Sequence, residues 1–249
     1  RFCFLVALIG VLVLPLMADV SVSPFAENDQ PVISGEGTAT ISRKTVDGTY
    51  AVIASGVTLP WTDTTAGLFP GKDYLYKVEV DGSSAVELSY THIVRLERSW
   101  ADTTKVRPSV RMIGSPAGTG KQDIGIIFNG VTTTTDYYEY TASPTIGVDF
   151  GRTIKAKYIR IAPRSGQVDR LNDKVVYGAV KEDFSDAVAI GTCAVTDGWA
   201  EIELEEASSL RFLYVTPLYG NATEIEIYGY DFGAVVRGFL TNNIPVVDA

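Results

Sequence analysis

From Asp19 onward, apolar and polar residues alternate along most of the chain, and Gly, Pro, Asn or Asp interrupts the alternation every few residues. The alternating segments are rich in Val, Ile, Thr and Tyr, and no sustained helical period is present. Period-two alternation in short segments is typical of strands that bury one face. The sequence therefore predicts an all-β protein built from antiparallel β-sandwich modules.

Residues 1–18 form an almost entirely apolar segment that gives way at Asp19 to a stretch rich in Ser, Pro and Asn. The segment is shorter than the roughly 20 apolar residues that span a bilayer, and it contains Pro15. This layout is typical of a secretion signal, with a buried helix or a membrane anchor as the alternative. We therefore expect residues 1–18 to be a signal peptide and the protein to be secreted or held at the cell surface. No membrane span is then expected after signal removal.

The charge balance and the scarcity of reactive side chains limit the possible functions. The net charge of -9 and the pI near 4.7 argue against nucleic acid as a partner. The single histidine, His92, has no metal-spaced or nucleophilic neighbours in sequence. In the glycine-rich stretch 114–122, Ser115 and Gln122 stand where a phosphate-binding loop requires Gly and Ser or Thr. We therefore expect no catalytic residues in this chain.

The alternation weakens between Arg95 and Pro108, which predicts a connection between two modules with a boundary near Thr103. Ahead of it the chain reads "LFPGKDY", in which Pro70 and Gly71 precede Tyr74. This pattern resembles the tyrosine corner of a fibronectin type III domain. The resemblance implies a sandwich over residues 19–103, linker included. We expect this sandwich to be truncated, because few residues remain ahead of the segment "TATISRK" for the two strands that the family places there.

A longer series of landmarks lies between Val110 and Tyr230. In chain order they read "GSPAGTGKQ", "FNGVTTTTDYYEY", "IGVDFG", "YIRIAPRSGQVDRLNDKVVYGA", "GWAEIEL", "LRFLYVTP" and "ATEIEIYGY". Their order and spacing resemble a discoidin domain, also called the coagulation-factor type C fold, which includes many bacterial carbohydrate-binding modules. The resemblance implies a jelly-roll-like β-sandwich over residues 104–230. Residues 231–249 are then a tail or the start of a further module.

The resemblance also implies a glycan-binding site on loops at one end of the sandwich. Sugars are held by an aromatic plane and a few oriented polar groups. Each aromatic or polar side chain of these loops has a core or turn-bracing role as its alternative. The ligand-binding candidates are Tyr137, Tyr140, Arg170, Asn172 and Tyr219.

Discoidin domains often hold a structural calcium ion, and this resemblance implies ligands at Asn129, Thr134 and Glu224. Calcium prefers six to eight oxygen ligands, several of them carboxylates. Here both aspartates of the family's loop are absent, which leaves Glu224 as the clear negative ligand. Structural Ca²⁺ is therefore a possible cofactor with a depleted ligand set.

The apolar leader predicts secretion, and the resemblance to discoidin domains implies a non-catalytic carbohydrate-binding or adhesion protein. Two alternatives remain open. The chain is an accessory part of a larger secreted glycoside hydrolase with further domains, or it is a structural cell-surface protein that makes only protein contacts.

Overall fold

The computed structural model describes residues 19–24, 29–98, 110–113, 124–133, 137–140, 145–216, 220–231, 235–239 and 245–248. No α-helix occurs in these ranges, where short 3-10 helices at Ile124–Phe128 and Val168–Arg170 interrupt the strands. No helix long and apolar enough to cross a membrane is found in the same ranges. The predicted signal segment, 1–18, lies outside the described residues.

The strands account for most of the described residues and confirm the all-β prediction. In chain order they are β1 (Ser21–Ser23), β2 (Val32–Ser34), β3 (Thr38–Thr45), β4 (Ala51–Thr58), β5 (Trp61–Thr62), β6 (Asp73–Val80), β7 (Val86–Thr91), β8 (Val94–Arg95), β9 (Arg111–Ile113), β10 (Tyr138–Tyr140), β11 (Ile146–Pro163), β12 (Val175–Ala179), β13 (Val188–Thr192), β14 (Val195–Thr196), β15 (Trp199–Val215), β16 (Gly220–Tyr230), β17 (Val235–Phe239) and β18 (Pro245–Asp248).

The chain divides into two compact units, which interleave in sequence. The first unit contains residues 1–26, 30–66 and 73–90, and the second contains 27–29, 67–72 and 91–249. Residues 91–98 lie in the second unit because β8 pairs with β16, with Arg95 opposite Tyr228. Part of the stretch that the sequence analysis interprets as a linker is therefore a strand of the second unit.

The first unit has two antiparallel sheets, of strand orders β1-β2-β5 and β4-β3-β6-β7. Both contribute fully buried side chains, among them Ile33 of β2, Ile41 of β3 and Tyr76 of β6. Two short strands, β1 and β2, precede Thr38, although few residues are available for them. Seven strands in two sheets match the sandwich class to which fibronectin type III domains belong. The family resemblance itself stays a prediction.

The second unit is organised around β11 and β15, which pair with each other along nearly their full length. The pairing register shifts between Asp149 and Ile154, where Gly151 adopts a φ of 70°. A bulge with a left-handed glycine bends a strand and increases its twist. The glycine that follows "IGVDF" predicts a turn at the end of a strand, whereas Gly151 lies inside one continuous, bent strand.

Nine strands of this unit are hydrogen-bonded into one continuous sheet, which folds into two layers. The bend lets β11 contribute to both layers. Its first part pairs with β9 and with the end of β15, which also pairs with β12; β13 follows β12. We call this group sheet I. Its second part pairs with β16 and with the start of β15, and β10, β8 and β14 complete the group that we call sheet II.

A single apolar core joins the two sheets of the second unit. Side chains of sheet I, such as Val148 and Val176, cluster with Ile159 and Ile225 of sheet II, all buried to 1% exposure or less. Each such side chain contributes roughly 1.5–3 kcal/mol when it is fully buried. The second unit is therefore a β-sandwich, which confirms the predicted fold class.

Period-two alternation also predicts the faces of these strands, and the structure agrees except at Asp149. Ile159 and Ile161 are buried, and Glu201 and Glu203 are exposed on the opposite face from Ile202. In "IGVDFG" the alternation predicts that Asp149 points outward, but it is only 7% exposed, and it accepts from Arg211 Nε at 2.8 Å and from the Gly151 amide at 2.7 Å. Burial raises the pKa of Asp149, but these two donors hold it below its ordinary value.

Candidate functional site

Several strand ends of both sheets meet at one end of the second sandwich. In sheet II, Pro163 of β11 pairs with Ala222 of β16, and Tyr140 of β10 pairs with Gly220. In sheet I, Ile146 and Val176 both pair with Val215 of β15. The chain passes between the sheets here through residues 164–174 and 193–194, and β14 and its turn follow directly. We call residues 164–174 and 193–198 the loop end.

The segment 164–174 is a compact turn with its own anchor in the core. The Gln167 amide donates to the Arg164 carbonyl at 2.9 Å, and a short 3-10 helix follows at Val168–Arg170. Leu171 then inserts into the core with 1% exposure. The turn is therefore held in one conformation by a buried side chain as well as by backbone hydrogen bonds.

A second segment, at Cys193 and Val195, is hydrogen-bonded to the same turn. The Asp173 amide donates to the Cys193 carbonyl at 3.0 Å, and the Cys193 amide donates to the Lys174 carbonyl at 2.8 Å. The Asn172 side-chain oxygen accepts from the Val195 amide at 2.9 Å. Asn172, predicted as a ligand contact, thus braces the loop end through its oxygen.

Arg164 lies over a buried aromatic ring at the loop end. Its guanidinium carbon is 3.9 Å from the centre of the Tyr137 ring, and Tyr137 is 8% exposed. A cation over an aromatic face contributes roughly 0.5–2 kcal/mol. The ring of Tyr137, which stays a predicted ligand contact, thus supports the partly exposed Arg164.

A second stack of this kind joins β11 to β15, where the Arg160 guanidinium carbon lies 4.0 Å from the centre of the Trp199 ring. Trp199 is partly buried and follows a tight turn in which Asp197 and Gly198 both have positive φ. Arg160 is held in turn by Glu201, at 3.0 Å, and by Glu226, at 3.3 Å. The loop end thus carries two aromatic rings, each paired with an oriented guanidinium.

The remaining predicted ligand residues are placed as follows. Arg170 ends the 3-10 helix of the turn and is partly exposed. Tyr140 ends β10, and its backbone pairs with Gly220. Tyr219 lies outside the described residues, immediately before Gly220 in sequence. The fold therefore brings Tyr140, Arg170 and Asn172 to the same end of the sandwich.

The predicted calcium ligands lie beside sheet II, where Glu224 is fully buried. Its Oε1 accepts from Arg95 at 2.7 Å and from Arg98 at 3.3 Å, and its Oε2 accepts from the Gly130 amide at 2.8 Å. Asn129 uses its side-chain oxygen to accept from the Val131 amide at 2.8 Å. Thr134 lies outside the described residues.

These contacts are a poor fit to calcium. The ion needs six to eight oxygen ligands, yet the carboxylate available for it already accepts from two cations and a backbone amide. Nowhere in the described ranges do three or more His, Cys, Asp or Glu side chains gather as a metal-binding group. Calcium as a cofactor therefore stays a prediction that the described residues do not favour.

Glu224 belongs to a buried ion cluster that the sequence analysis missed. The cluster consists of Arg95, Glu97, Glu224 and Glu226, all exposed by 8% or less. Arg95 Nη1 is 3.0 Å from Glu226, and Glu97 accepts from the Ile227 amide at 3.2 Å. Burial lowers the pKa of Arg95, but the three glutamates raise it above its ordinary value. Burial raises the pKa of Glu224 to about 7, although Arg95 opposes this effect.

Comparison with known proteins shows that the structure resembles solved structures, and it shows no more than that. No protein-family model matches the chain, and no curated protein sequence matches it. Among solved structures, the chain is similar to the CBM62 module from Clostridium thermocellum Xyl5A, with 25% identity over 49% of this chain and 95% of that chain, at a TM-score of 0.43.

Two further solved structures are similar to this chain. A family 32 carbohydrate-binding module from Clostridium perfringens NanJ, in complex with galactose, is 12% identical over 55% of this chain and 98% of that chain, at a TM-score of 0.41. An f-lectin (fucolectin) from striped bass (Morone saxatilis) serum is 10% identical over 81% of this chain and 82% of that chain, at a TM-score of 0.45. Because these TM-scores are low, the likeness supports no inference about function.

Proposed function

We propose that the second unit binds carbohydrate at the loop end, as a non-catalytic module of a secreted or cell-surface protein. The observation that carries the proposal is the Arg164 guanidinium held on the Tyr137 ring, 3.9 Å from its centre, at the start of a braced turn. A guanidinium has five N–H donors in a fixed plane, and sugar hydroxyls accept such hydrogen bonds. Because the side chain is already ordered, little rotamer entropy is lost on binding.

The neighbouring side chains supply the other features that sugar recognition requires. Trp199 offers an aromatic plane, and we propose Tyr140 and Tyr219 as further planes for the apolar face of a pyranose. Arg170 and Asn172 are proposed as polar partners on the same turn as Arg164. The similar solved structures are named as carbohydrate-binding modules or lectins, which agrees with this proposal. Their TM-scores are too low for them to count as evidence for it.

A binding site of this kind is shallow, and single sites of this size bind weakly. Linking several modules raises the apparent affinity by increasing the effective concentration of the second site. The apolar segment at residues 1–18 supports export, where polysaccharides and glycoproteins are the available partners. We therefore propose an extracellular glycan, displayed in many copies, as the partner.

The direct test is a glycan array probed with the full chain and with three variants. Arg164→Ala and Tyr140→Ala should each weaken binding to the best glycan roughly tenfold or more, because each removes a contact from the site. Arg211→Ala is the matched control, since Arg211 pairs with Asp149 near the bend of β11. That variant should bind as the unmodified chain does.

The outcomes separate this function from the alternatives. If the chain binds no glycan but captures a purified surface protein, the protein-contact alternative replaces the proposal. If glycan binding is intact in both loop-end variants and lost in Arg211→Ala, the site assignment is wrong. Hydrolysis of the bound glycan by the purified chain would contradict the non-catalytic role.

A further inference from the structure

The Glu224 carboxylate joins three separate parts of the second unit. It lies on β16, and it accepts hydrogen bonds from Arg95 of β8, from Arg98, and from the amide of Gly130 in the loop 129–131. Glu224 is fully buried, and the Arg98 side chain is only 16% exposed. The loop is therefore tied to the sheet through a carboxylate shared with two guanidinium groups.

Gly130 allows the Arg98 guanidinium to approach the loop backbone closely. A Cβ at this position would lie 2.5 Å from Arg98 Nη2, and the Gly130 φ of 84° is left-handed. The turn is closed by Asn129, whose side-chain oxygen accepts from the Val131 amide at 2.8 Å. The left-handed φ therefore favours glycine at position 130, and a Cβ there would displace the Arg98 guanidinium.

We propose that Arg98 acts as a built-in structural cation that holds the loop 129–131 on β16 in place of a calcium ion. A divalent ion bound to Glu224 would lie within a few ångströms of two guanidinium groups, and like charges at that separation repel strongly in a buried site. To bind, the ion would have to displace Arg98 and break its contact with Glu224. The loop is therefore ordered without metal, and this inference does not depend on glycan binding.

The first test is thermal unfolding of the unmodified full chain in EDTA, in 5 mM CaCl₂ and in 5 mM MgCl₂, where these concentrations are about those that saturate ordinary extracellular calcium sites. A ligand that binds only the folded state raises the Tm by mass action. We expect the Tm to be the same in all three solutions to within about 1 °C. A rise of several degrees in calcium alone would overturn the proposal.

The second test follows the loop itself by hydrogen exchange of the Gly130 and Val131 amides. Arg98→Met removes the cation and keeps much of the apolar stem, so these amides should exchange at least about tenfold faster. Arg98→Lys keeps the charge and should restore part of the protection.

Arg211→Met is the matched control, because it breaks a comparable ion pair with Asp149 in sheet I. It should leave exchange in the loop 129–131 unchanged. Unaltered loop exchange in Arg98→Met would overturn the proposal. If Arg98→Met does not fold, the Arg98→Lys variant and the thermal unfolding of the unmodified chain with and without metal still test the proposal.

Discussion

At the scale of single residues, the buried carboxyl of Asp29 gives the protein an unusual dependence on pH. Burial raises the pKa of Asp29 to about 6, and the charge of Glu97 adds to this effect, whereas a hydrogen bond from the Arg95 amide opposes it. The folded pKa is thus above the ordinary value of 3.8. A raised acid pKa contributes stability while the group is protonated, and this contribution is lost as the pH rises through the folded pKa.

We therefore predict that the stability contributed by Asp29 falls by roughly 1–2 kcal/mol as the pH rises from 4 to 8. Asp29→Asn should remove this part of the pH dependence and stabilise the protein at pH 8. Asn tolerates the left-handed φ of 60° at this position and can accept from the Arg95 amide. Urea unfolding at pH 4 and pH 8 measures the effect. Equal pH dependence in the two proteins would contradict it.

Some contacts of single residues at the site could not be predicted from the sequence. The sequence analysis identifies Tyr137 as important but not Arg164 as the group that Tyr137 presents, because the contact joins residues that are distant in sequence. Glu224 and Glu226 alternate with Ile225 and Ile227, and the resemblance to discoidin domains implies only a calcium-binding role for Glu224. Alternation specifies which residues share a face, but not what covers that face. The buried ion cluster with Arg95 could not be predicted for this reason.

At the scale of secondary-structure elements, most strands of the second unit follow from period-two alternation. The segments "AKYIRIAP", "AEIELEE" and "TEIEIYGY" all lie in strands, with the predicted apolar sides buried. The continuity of β11 through Gly151 was not predictable. A glycine ends a strand as often as it forms a bulge, and only pairing with β15 on both sides distinguishes the two.

The close pairing of β11 with β16 gives a prediction at this scale. Gly229 of β16 packs so closely that a Cβ would lie 1.9 Å from the backbone oxygen of Lys155, which cannot move without opening the sheet. Gly229→Ala should therefore destabilise the protein by about 3 kcal/mol or more. Chemical unfolding measured by Tyr and Trp fluorescence provides the value.

Gly198→Ala is the control for this prediction. Gly198 has a positive φ of 86°, but its added Cβ would meet nothing within 4 Å. The expected cost is about 1 kcal/mol, which is the conformational penalty alone. A Gly229→Ala protein that is as stable as Gly198→Ala would show that β11 and β16 are farther apart than described here.

At the scale of the whole molecule, a bent pair of long strands gives the second unit one core and gathers several connections at one end. The region 164–174 and 193–198 is anchored by Leu171, by the Cys193 backbone and by Asn172, so its side chains are presented on a fixed base. Apolar periodicity predicts such a sandwich, but the ligand is determined by loop side chains that no periodicity constrains. Fold class was therefore predictable from the sequence, and the ligand was not.

The central claim, that the loop end is the surface that binds carbohydrate, is tested most directly by mapping amide chemical shifts of the full chain during titration with the best glycan from an array. We predict saturable shifts at residues 164–174 and 193–199 and at Gly220, with none at the loop 180–187 near the bend of β11. Saturable shifts confined to 180–187 or to the first unit would contradict the account, as would a chain that no glycan perturbs.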